Sequence, residues 1–330
     1  MKKLRPAVLA VMLVVGTLCL RGQADSAQEP VLPHPGMLRY PDVSATHIVF
    51  RYADALWLVP RAGGTAVPVA SPPAPAAFPR FSPDGKTIAF EANYDGNQDL
   101  YTIPVEGGVP VRLTHHSSGE HLTGWTPDGR LIFSLHGMGW LEGLDQLFTV
   151  SAKGGLPARL PVPYGTNGVI SPDGRWLAYT PCSTDLQSWK RYRGGAAPDI
   201  WLFDLADKKS RKVTDWEGTD TLPMWHGRDV YYLSDAGPAH RLNIWRYDTG
   251  SGRREQVTHF RDFDVRWPSI GPGPHGEGEI VFQLGAELRL LDLATGRSAA
   301  VKVTIPGARP ALRPHAVDAS GLIYSRIGYC

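Results

Sequence analysis

A tetrapeptide that occurs three times constrains this chain more than any other feature. Ser82-Pro83-Asp84-Gly85 recurs as Thr126-Pro127-Asp128-Gly129 and as Ser171-Pro172-Asp173-Gly174. Each copy precedes a short apolar run: Ile88-Ala89-Phe90, Leu131-Ile132-Phe133 and Leu177-Ala178-Tyr179. Pro presets φ for a turn, Asp caps it through its carboxylate, and Gly takes the left-handed position before the strand. Those aspartates are therefore read as structural. The same apolar run appears without the tetrapeptide at Ile48-Val49-Phe50, Val230-Tyr231-Tyr232 and Ile280-Val281-Phe282. Successive runs start 40 to 53 residues apart, the period of a four-stranded propeller blade.

A second strand follows each run, as in Leu56-Trp57-Leu58-Val59, Leu100-Tyr101-Thr102-Ile103 and Ile200-Trp201-Leu202-Phe203. Hairpin residues come next, among them Gly63-Gly64, Gly107-Gly108 and Gly154-Gly155, where glycine permits positive φ. A third short strand closes the unit, as in Val111-Arg112-Leu113-Thr114. Six such units fit within residues 37–303. The expected fold class is all-β, a six-bladed β-propeller of PD40 or WD40-like repeats. Composition agrees: 36 Gly and 29 Pro supply turns, while 10 Trp and 12 Tyr suit half-buried strands, and together they exclude a helical bundle. With 34 basic against 32 acidic residues the chain lacks the charge excess of a nucleic-acid binder.

The ends read differently. Lys2, Lys3 and Arg5 precede an apolar run over residues 7–20, and Gly22-Gln23-Ala24 offers a cleavage site, so residues 1–24 are expected to be an export signal. Ala27 is the second choice for cleavage. Leu18 before Cys19 is too large for a good lipoprotein site. A periplasmic or secreted location follows, with no membrane contact beyond the signal. Residues 25–36 read as a linker. Residues 304–330 read as a linker followed by the broken-off start of a further propeller, because Leu322-Ile323-Tyr324 begins another strand. Besides Cys19 only Cys182 and Cys330 occur, so neither a disulfide framework nor a thiolate metal site is expected.

Searches for chemistry find no catalytic residue, no cofactor motif and no metal site. A literal Gly-x-Gly-x-x-Gly at Gly271, Gly273 and Gly276 is only a loop, since Pro272 and Pro274 remove the amides that a phosphate needs. His115, His116 and His121 with Glu120 are weighed as metal ligands and read as an exposed inter-blade turn. Asp215, Glu217 and Asp220, and then Asp262 and Asp264, read as solvated acidic loops. The most unusual segment is Trp189-Lys190-Arg191-Tyr192-Arg193, an insertion in the fourth unit that interleaves three cations with two aromatics. These five residues are the candidate binding surface. The alternative is an extended hairpin whose aromatics pack on a neighbouring blade while its cations pair with loop acids.

That segment, continued through Gly194-Gly195, Ile200-Trp201 and residues 230–235, resembles the N-terminal propeller of the tricorn protease family. The opening Met37-Leu38-Arg39-Tyr40-Pro41-Asp42 with Ile48-Val49-Phe50 is similar to that family's first blade. The Pro-Asp-Gly repeats alone are also similar to TolB-type and prolyl oligopeptidase propellers. The tricorn resemblance implies a noncatalytic part of a serine peptidase whose catalytic residues lie in later regions. Its implied role is to gate oligopeptide passage and support assembly, with peptides and downstream peptidase domains as partners and a homo-oligomer at full length. A free-standing TolB-like periplasmic scaffold is the alternative.

Overall fold

The computed structural model describes residues 37–139 and 143–306. The expected signal, the linker over residues 25–36 and the segment 307–330 lie outside the described residues. Six four-stranded antiparallel sheets follow one another along the chain, each built from four strands adjacent in sequence, except that in blade 1 the short strand Gly64–Thr65 intervenes before the fourth. Blade 1, for example, consists of Leu38–Val43, His47–Tyr52, Ala55–Pro60 and Val67–Ala70. The apolar runs found in the sequence are the second strands, which have the most buried residues: Phe50, Phe90, Phe133 and Phe282 are fully buried. The core consists of six separate clusters, one between each pair of neighbouring blades, including Val281 and Leu288 of blade 6 against Ile48 and Phe50 of blade 1. The ring is closed.

The turn motif works as the sequence predicts, with one addition. Ser82 Oγ donates to the Asp84 carboxylate at 2.6 Å and accepts the Thr87 amide at 3.0 Å. Thr126 and Ser171 repeat this with Asp128 and Asp173, each at 2.5 Å. Gly85, Gly129 and Gly174 have φ of 70°, 78° and 73°. The hydroxyl therefore links the Asp to the first amide of the following strand.

Sequence reasoning overlooked the innermost strand of every blade: Leu38–Val43, Ala77–Phe81, Glu120–Trp125, Thr166–Ile170, Asp220–His226 and Val265–Gly271. Each carries an irregularity in register with its partner strand. At that point stand Tyr40-Pro41, Phe78-Pro79, Thr123-Gly124, Asn167-Gly168, Leu222-Pro223 and Trp267-Pro268. Tyr40, Phe78, Asn167, Leu222 and Trp267 have φ between 47° and 53°, in the left-handed region that costs roughly 1–2 kcal/mol for a residue with Cβ. Pro or Gly next to a strained residue interrupts the alternation that marks a strand, so these segments read as loops.

Two expectations are corrected here. Glu120 and His121 are not in an exposed turn but open an innermost strand, and Glu120 is 1% exposed. Asp220 opens the equivalent strand in blade 5 and is likewise buried, not solvated. At the far end of the described chain, Val303–Thr304 pair in parallel with Gly64–Thr65 of blade 1, and Ile305 is buried beside them. Gly63, at φ 87°, lets the Lys302 carbonyl come close, and a Cβ there would lie 2.5 Å from that oxygen. The chain thus fastens its last blade onto its first, using the last residues of the expected propeller and the first of the expected linker.

Candidate functional site

The six innermost strands surround a channel of about 650 Å³. At one end it opens between the first hairpins, where Pro83, Pro127 and Pro172 of the repeated turns line it. At the other end the bulge residues converge. Tyr40 packs on Phe78 with ring centroids 4.1 Å apart and on Trp267 at 4.8 Å, and His121 meets the Phe78 ring edge-on at 4.4 Å. Trp267 and Leu222 also line a second void of about 40 Å³ beyond this partition.

The second void is roofed by the insertion over residues 181–199, which joins the second and third strands of blade 4. Asp185 reaches in from it and accepts hydrogen bonds from Asn167 at 2.8 Å and Thr221 at 2.9 Å. Arg266 of blade 6 donates to its carbonyl at 3.0 Å. The structure brings the five candidate residues together on this roof. Lys190 Nζ lies 2.6 Å from the buried Asp264 carboxylate, and Arg191 donates to the His240 carbonyl at 3.0 Å. Arg193 pairs with the buried Asp235 at 3.1 Å and stands over the Trp216 ring at 5.0 Å. Gly218 makes that cluster possible, because a Cβ there would sit 2.5 Å from both Asp235 Oδ1 and the Trp216 indole nitrogen. The cations are therefore engaged with acids of blades 5 and 6. Trp189 and Tyr192 pack on each other in a tilted arrangement, ring centroids 5.2 Å apart, and remain 46% and 39% exposed.

The remaining candidates do not converge. His121 Nδ1 lies 2.9 Å from Glu91, whose oxygens also accept the Leu122 amide and the Gln98 side chain. Glu120 turns instead to the Thr114 hydroxyl. Among the described residues no group of three or more potential ligands is placed to hold a metal ion. Burial pushes the Glu120 carboxyl up to about 7, and Asp220 is pushed to about 7 for the same reason. Asp264, expected in a solvated loop, is buried beneath Lys190 and accepts the Leu242 amide at 3.1 Å.

A channel through six blades narrows the possible relatives, and sequence comparison decides among them. The family model described as "Tricorn protease N-terminal beta propeller domain" matches residues 35–297. The chain belongs to that family. Tricorn protease homolog 1 of Streptomyces coelicolor is 30% identical over 291 residues, which cover 87% of this chain and 26% of the relative. The crystal structure of the tricorn protease superposes with a TM-score of 0.73 at 23% identity, covering 84% of this chain and 27% of that one. A putative TolB from Agrobacterium tumefaciens shares the fold, with a TM-score of 0.59 at 19% identity, over 75% of this chain and 90% of that one. The tricorn-type propeller described here thus spans about a quarter of the length of its tricorn relatives.

Two features of the channel in this tricorn-type propeller escaped sequence reasoning. One is the aromatic partition, because Tyr40, Phe78 and Trp267 are far apart in sequence. A signal did exist: an aromatic followed by Pro recurs at all three positions. The other is Arg80, an ordinary-looking residue beside the first Pro-Asp-Gly turn that faces the channel.

Proposed function

We propose that this propeller is the noncatalytic front part of an exported, tricorn-like serine peptidase. Its channel gates oligopeptides, and its roof docks on the peptidase domains and supports assembly into a homo-oligomer. The observation that carries this reading is the division of labour within residues 189–193. Lys190, Arg191 and Arg193 tie the insertion to blades 5 and 6, and Trp189 and Tyr192 are held out to solvent. An exposed aromatic pair on a tethered loop is the kind of anchor protein interfaces use. Leu186 and Phe263, 67% and 58% exposed, extend the apolar area at the same end. The basic start and apolar run over residues 7–20 support a periplasmic or secreted location.

The test is the size of the native protein in its source cells, read by immunoblot with an antibody against this chain. A band far above 36.1 kDa supports the peptidase reading. A band at or slightly below that mass gives the lead to the free-standing TolB-like scaffold, whose fold is shared. Hydrolysis of oligopeptides by the purified chain alone would overturn the noncatalytic part.

A further inference from the structure

The insertion over residues 181–199 covers the part of the channel's roof end that blades 4, 5 and 6 bound. Asp185 meets Asn167 on the innermost strand of blade 4 and Thr221 on that of blade 5, and its carbonyl accepts from Arg266 of blade 6. The Arg266 guanidinium in turn stands 4.9 Å from the centre of the Trp267 ring, a member of the aromatic partition. The insertion therefore bears on the partition through one arginine. Between the two lies the void of about 40 Å³, with room for a few waters but no tight apolar packing.

Polar contacts hold the insertion down. Within residues 181–199 only Pro198 is buried, besides which the large apolar side chains Leu186, Trp189 and Tyr192 face solvent. Beyond Asp185, the ties run from Lys190 to Asp264, from Arg193 to Asp235 and from Arg191 to the His240 carbonyl. That last bond joins two residues held in the left-handed region, with φ of 57° at Arg191 and 47° at His240, and such strain gathers where a structure switches. Lys190 is 50% exposed and Arg193 28%, so solvent and salt reach both pairs. A segment with few buried apolar contacts opens at a fraction of the free energy that unfolds the blades beneath it.

We propose that residues 181–199 are a lid that lifts as a unit from the roof end of the channel, latched by the Lys190–Asp264 and Arg193–Asp235 pairs and releasing Arg266 from its place above Trp267 when raised. This rests on the channel reading above and names the part that opens. The test is thiol trapping in the full chain with Cys19, Cys182 and Cys330 replaced by Ser. Leu233 lines the void and is 1% exposed, so the thiol of Leu233→Cys meets dithionitrobenzoate, too large for the closed void, only when the lid is up. Leu131→Cys, fully buried in blade 3, reports opening of the ring itself. Leu233→Cys is expected to react about tenfold or more faster than Leu131→Cys. Its rate should rise about threefold or more again in about 0.5 M NaCl or with Lys190→Ala, while that of Leu131→Cys stays unchanged. Hydrogen exchange of the unsubstituted chain needs no folded variant: the amides of residues 181–199 should quicken together in the same salt, with those of Thr87–Ala92 unaffected. Equal rates for the two thiols, or a Leu233→Cys rate that neither salt nor Lys190→Ala moves, makes the insertion a fixed cap and overturns the lid. If Leu233→Cys does not fold, lid amides that salt leaves unchanged overturn it equally. No peptide enters these measurements, so their failure strikes the lid and leaves the channel reading to the immunoblot.

Discussion

The two ends of the channel are built from the same residue types under opposite physical conditions. At the turn end, Asp84 and Asp173 are exposed, and hydrogen bonds from Ser82 and Ser171 hold their carboxyls below the usual range. At the roof end, Glu120 and Asp220 open innermost strands, are 1% exposed, and are pushed up to about 7 by burial. Each also has one carboxyl oxygen with no hydrogen-bond partner. Turn acids serve local geometry, whereas roof acids carry a cost that the fold tolerates. The repeated end carries structure, and the irregular end carries what the repeat cannot explain.

The largest effect that would break this contrast is in pH dependence. A carboxyl with a native pKa above its unfolded value holds its proton more tightly in the folded state. Its favourable contribution is full below about 4 and declines as pH rises, until it levels off above about 7. A rise from 4.5 to about 7 at Glu120 corresponds to about 3 kcal/mol, as an order of magnitude. Denaturant unfolding of the chain should show stability falling from pH 5 to pH 8, and Glu120→Gln should flatten that slope while keeping the acceptor for Thr114. A slope unchanged in Glu120→Gln would show that the roof acid is not the source. The turn acids act in the opposite sense, with their contribution present above 3.8 and lost as pH falls further.

Next in size is the tether of the roof. Asp235 accepts from the Trp216 indole at 2.7 Å and the Thr219 amide at 3.0 Å as well as pairing with Arg193. Asp235→Ala leaves all three donors without their acceptor, at a cost of about 2 kcal/mol once the part-exposure of Arg193 is discounted. Hydrogen exchange should then accelerate across residues 181–199 while the turn end keeps its protection. Uniform acceleration throughout the ring would show that the roof is not an independent unit. Smaller again is Ser171→Ala at the turn end, which removes one hydroxyl and leaves the Trp176 amide without its acceptor. A loss of about 1 kcal/mol is expected in thermal unfolding, with hydrogen exchange of the roof loop unchanged.

This contrast also marks what could be read from the sequence. Blade number and turn chemistry were legible because Ser-Pro-Asp-Gly and the following apolar run are local patterns that repetition confirms. The innermost strands were not, since each is interrupted at a Pro or Gly, beside a strained residue in five of the six, and presents mixed residues to the channel. Glu120 and Asp220 looked like solvated acids because burial by neighbouring blades has no local signature. Residues 189–193 stood out by composition, but which of them face solvent depended on Asp235 and Asp264, which approach from blades that follow in the chain.

The smallest effect on stability should accompany the largest on assembly. Trp189 and Tyr192 pack against each other and are 46% and 39% exposed, so replacing both with Ala should change the unfolding free energy by no more than about 1 kcal/mol. Removing two exposed aromatics from an interface costs far more than that when they are its anchors. The double variant should therefore melt like the wild type yet sediment as a smaller species when the native assembly is examined. Lys190→Ala is the matching control on the same loop, because it frees Asp264 and leaves the aromatic pair in place. If Trp189→Ala with Tyr192→Ala sediments with the intact assembly, the roof is packing alone, and both ends of the channel then serve only the fold.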